Sequence, residues 1–193
     1  KANTYGTASD RALLLDYQAT LEPKTEKAIK LEKEALAQIK ETTKKNAHLV
    51  SNLHSNLGGL YRINGQLNLA KKHMEMGISL LEQYQLLYTN DSIPQINNYA
   101  VLLTEIQEPD LALSALQKLA QIIKEYNSNH CLDYAQVQES LGSICLITAN
   151  ISQAKTHFKK ALKIYEDIWA DEPELIEEKY KKIQELYPQA GIA

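Results

Sequence analysis

A fifteen-residue stretch, NLGGLYRINGQLNLA at 56–70, returns twice at a fixed step of 42 residues: as NYAVLLTEIQEPDLA at 98–112 and as SLGSICLITANISQA at 140–154. A period of this size constrains the fold more than any local propensity. A unit of a few tens of residues cannot bury its own apolar face and does so only by stacking on its neighbours. The columns agree in residue type. A small residue recurs at Gly58, Ala100 and Gly142, after bulky Leu57, Tyr99 and Leu141. Alanine recurs at Ala70, Ala112 and Ala154. Four residues further on stand Met74, Leu116 and Phe158, and seven further on stand Gly77, Leu119 and Ala161. Tyr84 and Tyr126 also repeat in phase.

One step upstream the frame holds in part. Ala28 and Ala35 occupy their expected columns, but Asp16 stands in the small-residue column and Glu32 in the bulky apolar one. One step downstream, LYPQAGIA at 186–193 follows LYRINGQL at 60–67, with Tyr187 matching Tyr61 and Gly191 matching Gly65. The expectation is a single array over 1–193. Its units lie at about 9–50, 51–92, 93–134 and 135–176, with a half unit at 177–193, and the chain reads as a fragment of a longer protein.

Each unit reads as two helices. Leu53, Leu57, Leu60 and Tyr61 make one amphipathic stripe, and Leu67, Ala70, Met74, Ile78 and Leu81 the next. Breakers divide the helices at LEPK (21–24), ING (63–65), QEPD (107–110) and TAN (148–150). Asp110 or Asn150 is expected to cap the helix that follows, and Pro109 suits a first helical turn. Longer polar connectors, at 89–94 and 127–133, separate the units. Seven glycines and five prolines are too few for a turn-rich β fold. The expected fold class is all-α.

The order bulky–small, then Tyr, then Ala, then Met or a ring, then a second small residue resembles the tetratricopeptide repeat. Leu57, Gly58, Tyr61, Ala70, Met74 and Gly77 fit it, as do Leu141, Gly142, Ala154, Phe158 and Ala161. The resemblance spans roughly 9–193 and implies a right-handed α-solenoid of antiparallel helix pairs. The 42-residue step exceeds the usual 34. It resembles the long-repeat subclass found in kinesin light chains, spindle-orientation adaptors, and bacterial peptide-pheromone receptors and signalling ATPases.

The same resemblance implies a concave groove lined by the first helix of each unit. The groove positions it implies are Asn52, Ser55, Asn56, Gly59 and Arg62 in the second unit, and Asn97, Asn98, Val101, Thr104 and Glu105 in the third. In the fourth they are Gln136, Glu139, Ser140, Ser143 and Leu146. Asn56 and Asn98 share a column, and asparagine can pair with the backbone of an extended peptide. Ser140 interrupts that column. The variable positions Arg62, Glu105, Glu139 and Leu146 would set specificity. The basic residues with which tetratricopeptide co-chaperones hold a C-terminal carboxylate have no counterpart: Asn52, Ser55, Gly59, Pro94, Asn98, Gln136 and Ser140 stand there instead.

Other classes find little support. A formal net charge of −3 gives no basic face for nucleic acid. No apolar run approaches a membrane span, and the polar N-terminus does not read as a signal peptide. Cys131 and Cys145 make no disulfide framework, so a reducing cytoplasm is expected, with Cys145 a small buried hydrophobe. Histidines 48, 54, 73, 130 and 157 lack metal-ligand spacing, His130 reads as loop polarity, and no phosphate loop or nucleophile motif is present. Glu172, Glu174, Glu177 and Glu178 suit a helix start, and Lys159, Lys160 and Lys163 a solvated face.

The chain therefore reads as a scaffold that binds a protein or peptide segment, with no catalysis, cofactor, metal, nucleic acid or membrane. One alternative is the peptide-sensing module of a bacterial transcription regulator or signalling ATPase. A second is a homo-oligomer formed through the array ends.

Overall fold

The computed structural model describes residues 6–87, 89, 92–126 and 130–191. Part of each long connector and the side chains of Tyr126 and Gln189 lie outside the described residues. Among the described residues there are nine α helices and no strand: α1 (Ala8–Leu21), α2 (Thr25–Gln38), α3 (Ala47–Ile63), α4 (Leu67–Gln83), α5 (Ser92–Glu105), α6 (Pro109–Tyr126), α7 (Leu132–Ile147), α8 (Ile151–Ile168) and α9 (Pro173–Leu186). A 3-10 turn follows at Pro188–Ala190. The ends of α3, α5 and α7 and the starts of α4, α6 and α8 each recur at the 42-residue step.

The turns inside the α3–α4, α5–α6 and α7–α8 pairs share one backbone, which Gly191 repeats after α9. Gly65, Gln107, Ala149 and Gly191 are left-handed, with φ of 73°, 64°, 59° and 56°. In the first three, the next amide reaches back five residues: Gln66 N to Tyr61 O at 2.8 Å, Glu108 N to Leu103 O at 2.8 Å, and Asn150 N to Cys145 O at 2.7 Å. This is the Schellman ending, which satisfies carbonyls that the helix leaves unpaired. Asn150 caps α8 by accepting from Gln153 N at 3.3 Å. Asp110 does not cap α6, because Pro109 already begins that helix. Asp110 lies inside the first turn, where its charge favours the helix dipole.

The chain forms two compact units, Lys1–Leu102 and Leu103–Ala193. In the first, α1 packs on α2, α2 on α3, and α3 on α4. Ala12, Ala35 and Leu53 form a buried cluster there with Leu15, Leu36, Ile39 and Leu49. The small-residue columns mark the closest approaches. A Cβ on Gly58 would stand 2.5 Å from Met74 Cγ, and one on Gly77 would stand 3.0 Å from the Ser51 carbonyl oxygen. Tyr84 donates from its hydroxyl to the Thr42 carbonyl at 2.7 Å.

In the second unit, α6 packs on α7, α7 on α8, and α8 on α9. Cys145, Ala154, Phe158, Leu162, Ile183 and Ala190 form its core. A Cβ on Gly142 would meet the Phe158 ring at 2.9 Å. Tyr187 stacks on the same ring with centroids 5.1 Å apart. Cys145 is a free, buried thiol, and burial raises its pKa.

Candidate functional site

Helix α3 turns Ser55, Asn56, Gly59, Leu60 and Ile63 toward one side of the first unit, as i, i+1, i+4, i+5 and i+8 positions must. With Ala19 and Thr20 of α1, Glu32 of α2 and Asn98 of α5, they line a recess of about 250 Å³. Four of the residues expected in a groove, Ser55, Asn56, Gly59 and Asn98, meet at this recess. Asn56 and Asn98 are exposed. A Cβ on Gly59 would touch nothing within 4 Å, so the wall is open there.

Beneath the wall lies a pair of carboxyls. Asn56 Nδ2 donates to Asp16 Oδ1 at 2.8 Å. The Glu32 carboxyl sits against both Asp16 and Asn56, and the residue is only 1% exposed. Its Oε2 is buried and, among the described residues, has no hydrogen-bond partner. Burial, and then the Asp16 carboxyl beside it, push the Glu32 pKa up to about 9. The local cause is visible in the repeat columns. Where Gly58 meets Met74 and Gly142 meets Phe158, the first helix pair presents Asp16 and Glu32. Two carboxyls occupy the place of an apolar helix contact.

The other expected residues of the first unit are placed differently. Asn52 Oδ1 accepts from Gln95 Nε2 at 2.6 Å, and Gln95 Oε1 lies 2.7 Å from Ser51 Oγ. Ser51 Oγ is also 2.9 Å from the Gly77 carbonyl oxygen, so Asn52 belongs to a largely buried polar chain joining α3, α4 and α5. Asn97 is half-buried with its Oδ1 buried and unpartnered among the described residues. Arg62 is half-buried and Val101 exposed, and neither lines the recess.

Behind Tyr61, His54 and His73 face each other with Nδ1 atoms 2.9 Å apart, so one donates and the other accepts. Burial, and then the charge of its partner, hold the His54 pKa down to about 4.

In the second unit, Glu139 is already engaged. Its Oε2 accepts from the Tyr165 hydroxyl at 3.1 Å and pairs with Lys179 Nζ at 2.7 Å. Lys179 also lies over the Tyr165 ring, 4.8 Å from its centroid, and Tyr165 stacks on Trp169 at 4.7 Å. Ser143 donates to the Glu139 carbonyl at 3.0 Å, and Leu146 packs against the core. Thr104 and Ser140 are half-buried, while Glu105 and Gln136 are exposed. Glu139 and Lys179 together fasten α9 to α7 and α8.

Sequence reasoning did not assign Asp16, Thr20, Glu32 or Gln95 to a site. The first and third were visible as departures from their columns. The signal that joins them is their spacing, which is that of Gly58 and Met74. Gln95 left no such trace, because side-chain pairing between helices has no period.

Among the described residues, no three or more His, Cys, Asp or Glu side chains are grouped to hold a metal ion. No described helix is long and apolar enough to cross a membrane.

These helix pairs, three of them closed by the same turn and packed through small residues, define an all-α helical-repeat fold of the tetratricopeptide kind. Residues 92–167 match the Tetratricopeptide repeat family model, and the solved structures that the chain resembles share its fold. BtubC (BKLC) from P. vanneervenii is 18% identical with a TM-score of 0.76, over 94% of this chain and 72% of that one. TPR-like repeats described as kinesin light chain from Podosopora anserina are 13% identical with a TM-score of 0.73, over 88% of this chain and 82% of that one. A Rap protein complexed with Competence and Sporulation Factor is 16% identical with a TM-score of 0.63; the match covers 96% of this chain but 56% of that one. No curated protein matches the chain in sequence.

Proposed function

We propose that the chain is a non-catalytic binding module that holds an extended segment of a protein, or a free peptide, across the recess of the first unit. The observation that carries this reading is the meeting of Asn56 from α3 and Asn98 from α5 on one wall. Each primary amide offers a donor and an acceptor to a passing main chain, whatever its side chains. Ser55 adds a hydroxyl, and Gly59 leaves room for close backbone approach. Asn97 and Arg62 belong to the same reading. Two free cysteines, one of them buried, accord with a reducing cytoplasm.

The test uses peptides selected from a random display library on the intact chain. The double variant Asn56→Ala, Asn98→Ala should bind them at least about tenfold more weakly, a loss of about 1.4 kcal/mol. Its circular dichroism should be unchanged. Equal affinity would remove these residues from the site.

A second reading, a peptide-sensing regulatory module, is favoured by the likeness to a Rap protein solved with Competence and Sporulation Factor. The helix boundaries repeating at 42 residues agree with the long-repeat subclass behind both readings. A helix-turn-helix or nucleotide-binding domain encoded upstream of Lys1 would favour the sensor.

A further inference from the structure

We propose that the recess of the first unit is a selective seat for one cationic side chain, lysine or arginine, of the segment it binds. The inference rests on the peptide-docking reading and sharpens it. Its first ground is the unpartnered Glu32 Oε2, buried at the lining of a recess open to solvent. A buried acceptor without a donor is costly to keep, and an ammonium or guanidinium supplies the strongest donor available. The second ground is charge. Asp16 and Glu32 lie side by side, and among the described residues no basic side chain lines the recess. With no cation near, burial and the neighbouring Asp16 carboxyl favour the protonated form of Glu32, and an entering cation favours its ionised form. The third ground is shape. Ala19, Leu60 and Ile63 give apolar walls for an aliphatic stem, while Asn56, Asn98, Ser55 and Thr20 give polar atoms to the charged head. The fourth is the chain's own pattern. The columns of Asp16 and Glu32 hold Gly58 with Met74 and Gly142 with Phe158 in other helix pairs, so an apolar contact serves the fold well there.

Binding therefore releases the Glu32 proton to solvent. The groups that face Glu32 are Asp16 from α1 and Asn56 from α3, and the described lining of the recess adds no other titratable side chain. Affinity for a cation should rise with pH between about 6 and 8.

The experiment titrates n-butylammonium and methylguanidinium into the intact chain, with the side-chain amide signals of Asn56 and Asn98 followed by NMR. n-Butanol is the uncharged control. Saturable shifts with the two cations only, absent in Glu32→Met and weakened in Glu32→Gln, are the expected result. Glu32→Met removes the carboxyl outright, its fold is checked by circular dichroism, and Glu32→Gln, which keeps the side-chain shape, tests the seat if the methionine packs poorly against Asp16. No shift, or equal shifts in Glu32→Met, overturns the cation seat.

A second arm compares a capped alanine pentapeptide carrying a central lysine with its norleucine counterpart. The lysine peptide should bind about tenfold more tightly to the parent and equally to Glu32→Met. Peptide binding that is indifferent to Glu32 but lost in the Asn56, Asn98 double variant removes the seat and leaves the docking reading. Cation shifts without peptide binding leave the seat and remove the docking reading.

Discussion

At the scale of single residues, small side chains and buried ionisable groups carry most of the energy that can be tested. A Cβ on Gly77 would face the Ser51 carbonyl oxygen at 3.0 Å, whereas one on Gly58 would face Met74 Cγ, near the root of that side chain, at 2.5 Å and the Ala70 carbonyl oxygen at 3.2 Å. Gly58→Ala should therefore cost about 1–3 kcal/mol and Gly77→Ala no more than that, by urea denaturation. Glu32 and His54 act in opposite directions with pH. The folded-state pKa of Glu32 is raised to about 9, so its contribution is complete below pH 4.5 and is lost as pH rises toward 9. That of His54 is lowered to about 4, so its contribution is present above pH 6.5 and is lost as pH falls toward 4. Thermal melting of the parent should fall between pH 7 and 9, and Glu32→Gln should flatten that decline. A decline unchanged in Glu32→Gln would show that Glu32 ionises as an ordinary surface carboxylate. The sequence made Asp16 and Glu32 visible only as two separate misfits. Their contact depends on two helix faces meeting, which one periodicity alone does not state.

At the scale of elements, the sequence was most legible. Apolar spacing and breakers place the helix pairs at their observed positions, because each helix must bury one stripe and stop where its carbonyls find partners. The turn shows what a residue pattern hides. Glycine occupies the left-handed position at Gly65 and Gly191, but Gln107 and Ala149 adopt the same backbone without it. The conformation is imposed by packing on both sides, at a strain of about 1 kcal/mol for a residue bearing Cβ. Ala149→Gly should accordingly raise stability by a few tenths of a kcal/mol to about 1, and Gly65→Ala should lower it by about 1, in chemical denaturation. Helix α9 depends on a different device. Ile183 is its one buried residue among those described, and Lys179 ties it to Glu139 at 2.7 Å. Glu139→Ala should speed amide hydrogen exchange in α9 several-fold while sparing α3 and α4. Exchange unchanged in α9 would mean that the packing of Ile183 and Tyr180 holds it without the ion pair.

At the scale of the whole molecule, the chain has two compact units, and each has its own buried cluster. In repeat folds, stability is a sum of terms within and between neighbouring units, so damage stays local. Gly77→Ala should lower hydrogen-exchange protection in α1–α4 more than in α7–α9, and equal loss in both would mark a single cooperative block. The candidate site is just as local, with its lining drawn from the first unit alone.

The carboxyl pair of that unit also sets a course for selection. Exchanging both Asp16 and Glu32 for the glycine and methionine of their columns would replace a buried carboxyl pair with an apolar contact, so a screen for heat resistance alone should reach these positions early. Its winners would be sturdier proteins that had become blind to charge. Under the cation-seat proposal, the two carboxyls trade stability for recognition where Gly58 and Met74 of the next helix pair pack without charge.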